Sequence, residues 1–207
     1  ENYQWLPRAD ILTLEEQSQL AKAFTQLGVR RVRLTGGEPL LRRNIHALVE
    51  MLARQPNVED LAMTTNALLL RRYAQPLYES GLDRLTISLD SLDPATFQRL
   101  TRRQALHQAL DGIDAALEAG FKQLKLNMVV LRGVNDGELI GMLDFARTIG
   151  AELRFIEYMD VGGANNWKQQ QVVSHAEILR IIEREKGSVS PLPGPPSAPA
   201  QSFRMEN

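Results

Sequence analysis

The 207-residue chain is 43% hydrophobic and 24% charged, a globular composition that excludes a disordered chain, a collagen-like repeat and a coiled coil. With 24 basic and 25 acidic side chains the formal charge is -1, so no domain-wide positive field holds nucleic acid or anionic membrane, and any bound anion must be held locally. Zero cysteines exclude disulfides, thiolate nucleophiles and cysteine-held zinc or iron–sulfur clusters within these residues.

No apolar run approaches the ~20 residues of a membrane span. The start, Glu1-Asn2-Tyr3-Gln4-Trp5, has neither a signal core nor an initiator Met, which points to residues upstream. Thr13-x-x-Glu16 reads as a capping box opening a first helix. Strand-like runs follow at 32–35, 61–66, 85–89, 124–130 and 153–158, their starts about 24 to 39 residues apart, near the ~30-residue strand–helix unit. Asp93-Pro94 reads as an N-cap with proline at the first helical position, and Ser174-x-x-Glu177 as a second capping box. Gly28, Gly81, Gly120 and Gly150 each close an amphipathic stretch where a left-handed helix cap favours glycine. Strands alternating with helices imply parallel pairing, hence an α/β domain over 1–187 with helices outside the sheet. Five prolines between Pro191 and Pro199 make 188–207 an expected extended or disordered tail or linker.

Seven residues on from the four glycines stand Thr35, Ser88, Asn127 and Glu157; five residues on stand Arg33, Thr86, Lys125 and Phe155, on the same faces. Thr64 and Asn66 share a face of the remaining run. Parallel strands buried on both sides are normally apolar throughout, so polar residues at five carboxyl ends describe a cup, where ligands of α/β folds bind. Two cations converging there favour an anion such as phosphate, although Arg33 and Lys125 could instead pair with Asp90 and Glu157 in a self-satisfied network. Within Thr35-Gly36-Gly37-Glu38-Pro39, the glycines let a ligand approach bare backbone, and Glu38 sets a carboxylate suited to an ammonium group beside it. His46, His107 and His175 lie on separate helices without ligand spacing, and Glu15, Glu16, Asp111 and Asp114 fit solvated faces.

Thr35-Gly36-Gly37-Glu38-Pro39, Thr64-Thr65-Asn66, Ser88-Leu89-Asp90-Ser91-Leu92-Asp93, Lys125-Leu126-Asn127 and Arg154-Phe155-Ile156-Glu157-Tyr158-Met159 together resemble the GTP 3',8-cyclase family. These are radical S-adenosylmethionine enzymes of molybdenum cofactor (molybdopterin) biosynthesis, and the resemblance runs over about 12–183. It implies an incomplete (β/α) TIM-type barrel with its first strand missing here, which would leave the run at 32–35 with an unpaired edge. It also implies S-adenosylmethionine contacts at Gly37, Glu38, Ser88 and Met159, and GTP contacts at Arg33, Thr64 and Lys125. Family members carry two [4Fe–4S] clusters on cysteines before and after this region. Their 5'-deoxyadenosyl radical takes hydrogen from ribose C3', which then attacks guanine C8 to give (8S)-3',8-cyclo-7,8-dihydro-GTP. The resemblance further implies a cytoplasmic homodimer with no nucleic-acid or membrane partner. With both cysteine sets absent, the expectation is a core fragment that keeps the cup and is inactive alone. The alternatives are a phosphate-binding aldolase or isomerase barrel using Lys125, and a non-catalytic nucleotide-binding module.

Overall fold

The computed structural model describes residues 7, 10–161, 167–194 and 200–205. Among the described residues, seven α-helices and seven strands follow in the order α1 (Leu14–Gln26), β1 (Arg31–Leu34), α2 (Ile45–Ala53), β2 (Asp60–Thr65), α3 (Leu70–Glu79), β3 (Arg84–Ser88), α4 (Pro94–Thr101), α5 (Leu106–Ala119), β4 (Leu124–Val130), α6 (Leu139–Thr148), β5 (Glu152–Glu157), α7 (His175–Lys186), β6 (Val189–Leu192) and β7 (Ser202–Met205). β1 to β5 form one parallel sheet in sequence order, the expected α/β class, and among the described residues the sheet does not close on itself. β1 stands at its edge, paired on one side with β2.

The helix starts follow local chemistry. Thr13 and Glu16, and Ser174 and Glu177, form reciprocal capping boxes, and Asp93 accepts from the Thr96 N–H ahead of Pro94. Each satisfies backbone donors that a helix start leaves open, typically worth about 1 kcal/mol.

The chain divides into two compact units, Glu1–Ser88 with Ala105–Leu126, and Leu89–Gln104 with Asn127–Asn207. The first unit holds β1 to β3, α1 to α3 and α5. Leu61 and Met63 of β2 and Leu85 and Ile87 of β3 are fully buried on the sheet face opposite Arg33, together with Leu48 and Val49 of α2 and Leu70 and Leu77 of α3. Burying each such side chain contributes about 2 kcal/mol. α5 approaches α3 closely because its inner positions are small: Ala109, Gly112, Ala116 and Ala119. A Cβ on Gly112 would lie 2.2 Å from the Ala67 carbonyl oxygen, so only glycine admits this approach.

The second unit buries Phe97 of α4, Leu139 and Met142 of α6, Val173, and Ile178 and Ile182 of α7. Its last residues differ from the expected extended or disordered tail, because β6 and β7 pair antiparallel, with Val189 opposite Met205 and Leu192 opposite Ser202. Val189, Leu192, Phe203 and Met205 are half-buried, and the Phe203 ring lies 5.9 Å from that of His175. Pro191 is compatible with this pairing because both strands of a two-stranded sheet are edges.

Candidate functional site

In the first unit, strand register and alternation place Arg33, Thr64, Thr86 and Ser88 on one face of the sheet. Arg33 Nη1 donates to Thr64 Oγ1 and to Thr86 Oγ1, both at 3.0 Å. Two neutral hydroxyls thus orient a permanently charged fork without adding negative charge of their own. Ser88 is exposed at the end of β3 and Lys125 is half-buried on β4.

The turn after β1 is built around Glu38. Its Oε1 accepts from the Leu40 N–H at 3.0 Å and the Thr65 hydroxyl at 2.7 Å, and its Oε2 accepts from the Asn66 N–H at 2.8 Å. A carboxylate offers about four acceptor positions, so the side chain expected to greet an ammonium group is largely engaged and keeps room for one more donor. Gly36 and Gly37 differ. Gly36 has φ +153, a conformation that residues with side chains rarely adopt. Gly37 has no positive φ, and a Cβ built on it would meet nothing within 4 Å. Gly137, Gly141 and Gly194 share this freedom, so Gly37 offers bare backbone to a ligand without itself marking one.

In the second unit, Met159 follows β5 and is 58% exposed. Asn127 lies half-buried on β4, its Oδ1 buried with no hydrogen-bond partner among the described residues. Asp90 and Glu157, the carboxylates that sequence offered to Arg33 and Lys125, engage backbone: Asp90 accepts from the Val129 N–H and Glu157 from the His175 N–H. Burial pushes the Asp90 carboxyl above its ordinary range, against the lowering effect of the Val129 donor.

Sequence reasoning missed a polar hub in this unit. Glu138 accepts from the fully buried Ser91 hydroxyl and from the Leu92 and Asp93 N–H groups. Asn135, also buried, accepts from the Leu131 N–H and donates to the carbonyls of Asp90 and Val129. Among the described residues no cluster of three or more His, Asp or Glu could hold a metal ion.

Residues 2–146 match the model of the radical SAM superfamily. The chain belongs to the radical SAM superfamily. It is 52% identical over 208 residues to a GTP 3',8-cyclase of Acidothermus cellulolyticus, which covers 100% of this chain and 57% of that protein. It is 44% identical over 207 residues to GTP 3',8-cyclase 3 of Mycobacterium tuberculosis, covering 98% of this chain and 55% of that one. The chain therefore spans little more than half the length of these relatives. Among solved structures, SuiB of Streptococcus suis bound to S-adenosylmethionine aligns with a TM-score of 0.69 at 19% identity, over 88% of this chain and 41% of that one. Methylornithine synthase aligns with a TM-score of 0.58 at 18% identity, over 83% and 52%. Both likenesses concern the fold.

Proposed function

We propose that the protein carrying this chain rearranges GTP to (8S)-3',8-cyclo-7,8-dihydro-GTP by radical S-adenosylmethionine chemistry in molybdenum cofactor biosynthesis. The observation that carries the reading is the Arg33 guanidinium, oriented by the Thr64 and Thr86 hydroxyls, in the same unit as the Gly36–Gly37–Glu38 turn. Whole-chain identity of 41% to 52% to proteins named GTP 3',8-cyclase supports the same reaction.

In this reading Gly37 presents bare backbone to the methionine end of S-adenosylmethionine, with the remaining acceptor position of Glu38 for its ammonium group. Ser88 and Met159 are further proposed contacts of that cofactor. Arg33, oriented by Thr64 and Thr86, and Lys125 face the GTP triphosphate, and Thr64 adds a hydroxyl to the same ligand. Bound S-adenosylmethionine would supply the 5'-deoxyadenosyl radical that takes hydrogen from ribose C3' of GTP. The protein's share is binding, orientation and charge compensation. Delivery of the electron is assigned to no residue here, because the 207 residues contain no cysteine to hold either iron–sulfur cluster of the family. A cytoplasmic homodimer is part of the proposal; among the described residues no helix is long and apolar enough to cross a membrane.

Calorimetry on this chain with S-adenosylmethionine and with GTP tests the reading. Binding of both is expected, without 5'-deoxyadenosine formation under reducing conditions. A pure scaffold would bind neither, and 5'-deoxyadenosine together with bound iron would overturn the expected inactivity.

A further inference from the structure

Thr65 enters none of the roles above, yet its hydroxyl is the link between two loops. Thr65 Oγ1 accepts from the Ala67 N–H at 3.1 Å and donates to Glu38 Oε1 at 2.7 Å, using both capacities of a hydroxyl. The Asn66 N–H reaches Glu38 Oε2, and Asn66 Oδ1 turns back to accept from the Leu68 N–H at 3.0 Å. Segment 65–68 is thereby drawn onto the carboxylate that immediately follows Gly37. Ala67 holds φ +64, a left-handed conformation unfavourable for a residue with a Cβ, and is fully buried. Such a conformation persists only where its surroundings over-determine it. Here they do so twice, through the Thr65 hydroxyl and through the close approach of Gly112 to the Ala67 carbonyl.

Loop anchoring alone would explain a buried threonine. The position of this one argues for more: Thr65 directly follows Thr64, the acceptor from Arg33, and its acceptor Glu38 directly follows Gly37. We propose that Thr65 is a positioning residue, whose hydroxyl, clamped to the Glu38 carboxylate, fixes the Gly36–Gly37 turn in the shape that receives S-adenosylmethionine. This rests on Gly37 being the cofactor cradle. Thr65 itself faces away from the ligand, because alternation puts it on the sheet face opposite Thr64. Its effect passes entirely through Glu38.

Thr65→Val keeps the branched shape and removes the hydroxyl; Thr65→Ser restores the hydroxyl alone. Amide hydrogen exchange at Leu40 and Asn66, and calorimetric affinity for S-adenosylmethionine, are read on the full chain and both variants. Thr65→Val is expected to speed exchange at Leu40 and Asn66 and to weaken the cofactor about tenfold, the size of one buried hydrogen bond, with Thr65→Ser recovering most of both. Recovery by serine separates the hydroxyl's role from loss of packing. Unchanged exchange in Thr65→Val would overturn the link between the loops. Altered exchange with unaltered affinity would overturn the positioning role alone. Failure of the unsubstituted chain to bind S-adenosylmethionine would sink the cradle reading, and the positioning role with it, whatever the exchange rates.

Discussion

Two regions after strand ends, one in each unit, are polar in sequence and differ in what they leave open. In the second unit, residues 90–93 and 129–138 consume their own polarity: Glu138 gathers Ser91, Leu92 and Asp93, and Asn135 engages Leu131, Asp90 and Val129. In the first, Glu38 gathers Leu40, Thr65 and Asn66 in much the same way, and each carboxylate directly follows a glycine on which a Cβ would meet nothing within 4 Å, Gly37 and Gly137. A carboxylate collecting loop donors beside an unconstrained glycine is therefore architecture in both places. What the first unit adds is the Arg33 guanidinium, oriented by the Thr64 and Thr86 hydroxyls.

That comparison can be broken by substitution. The largest effect is expected from Gly112→Ala, which drives a Cβ into the Ala67 carbonyl and should cost about 3 kcal/mol or more in urea unfolding, overpacking with little room to relax. Glu138→Ala leaves the Leu92 N–H without its acceptor and the Ser91 hydroxyl and Asp93 N–H with only each other's residue to bond, a loss of about 1–3 kcal/mol. Its calorimetric S-adenosylmethionine affinity at a temperature where it stays folded should match that of the unsubstituted chain. A brace that weakened the cofactor without weakening the fold would erase the distinction. Gly37→Ala should do the reverse, lowering S-adenosylmethionine affinity by about tenfold or more, with an unfolding free energy within ~0.5 kcal/mol of the original.

The smallest effects concern pH. Asp90 has a folded-state pKa raised by burial, so ionising it costs stability as pH rises from its ordinary range through the raised value. Asp90→Asn keeps an acceptor for the Val129 N–H and should flatten that part of the profile, with a modest gain at neutral pH in urea midpoints. Glu177 behaves oppositely. The Ser174 N–H, then Arg132, hold its carboxyl down at about 2, so its contribution is present above the ordinary glutamate value near 4.5 and lost as pH falls toward about 2. Glu177→Gln should remove that acid-side slope in the same titration.

What sequence made legible was what neighbours in the chain decide. Both capping boxes, the Asp93-Pro94 helix start and the four glycine caps rest on contacts within a few residues, and each is where the spacing put it. The five strands of the parallel sheet fall within one residue of the expected runs. Two helices, α4 and α5, occupy the long interval between β3 and β4. Arg33 and Thr64 were picked out by alternation, and register brings them together. The rest depended on partners remote in sequence. Glu38 meets Thr65 across 27 residues and Glu138 meets Ser91 across 47, so neither link has a local signature. Gly112 reads as a weak point in a helix until the Ala67 carbonyl is placed against it. The proline-rich end misled because composition reports a shortage of donors, not the pairing of Val189 with Met205.

The first unit is discontinuous, made of Glu1–Ser88 and Ala105–Leu126. A ribosome that has delivered Ser88 must add 38 more residues, from 88 to 126, before that unit is complete. At roughly 5–20 residues per second this is about 2 to 8 s. Until Ala119 is delivered, α3 lacks α5, the helix it packs against most, and the side of its apolar stripe at Leu70 that meets Gly112 stays uncovered. Arg71 likewise waits for Asp111 and Glu118 on α5. The nascent chain therefore carries a sticky helix for seconds, and the approach that depends on Gly112 becomes a late step of synthesis as well as a tight one of packing.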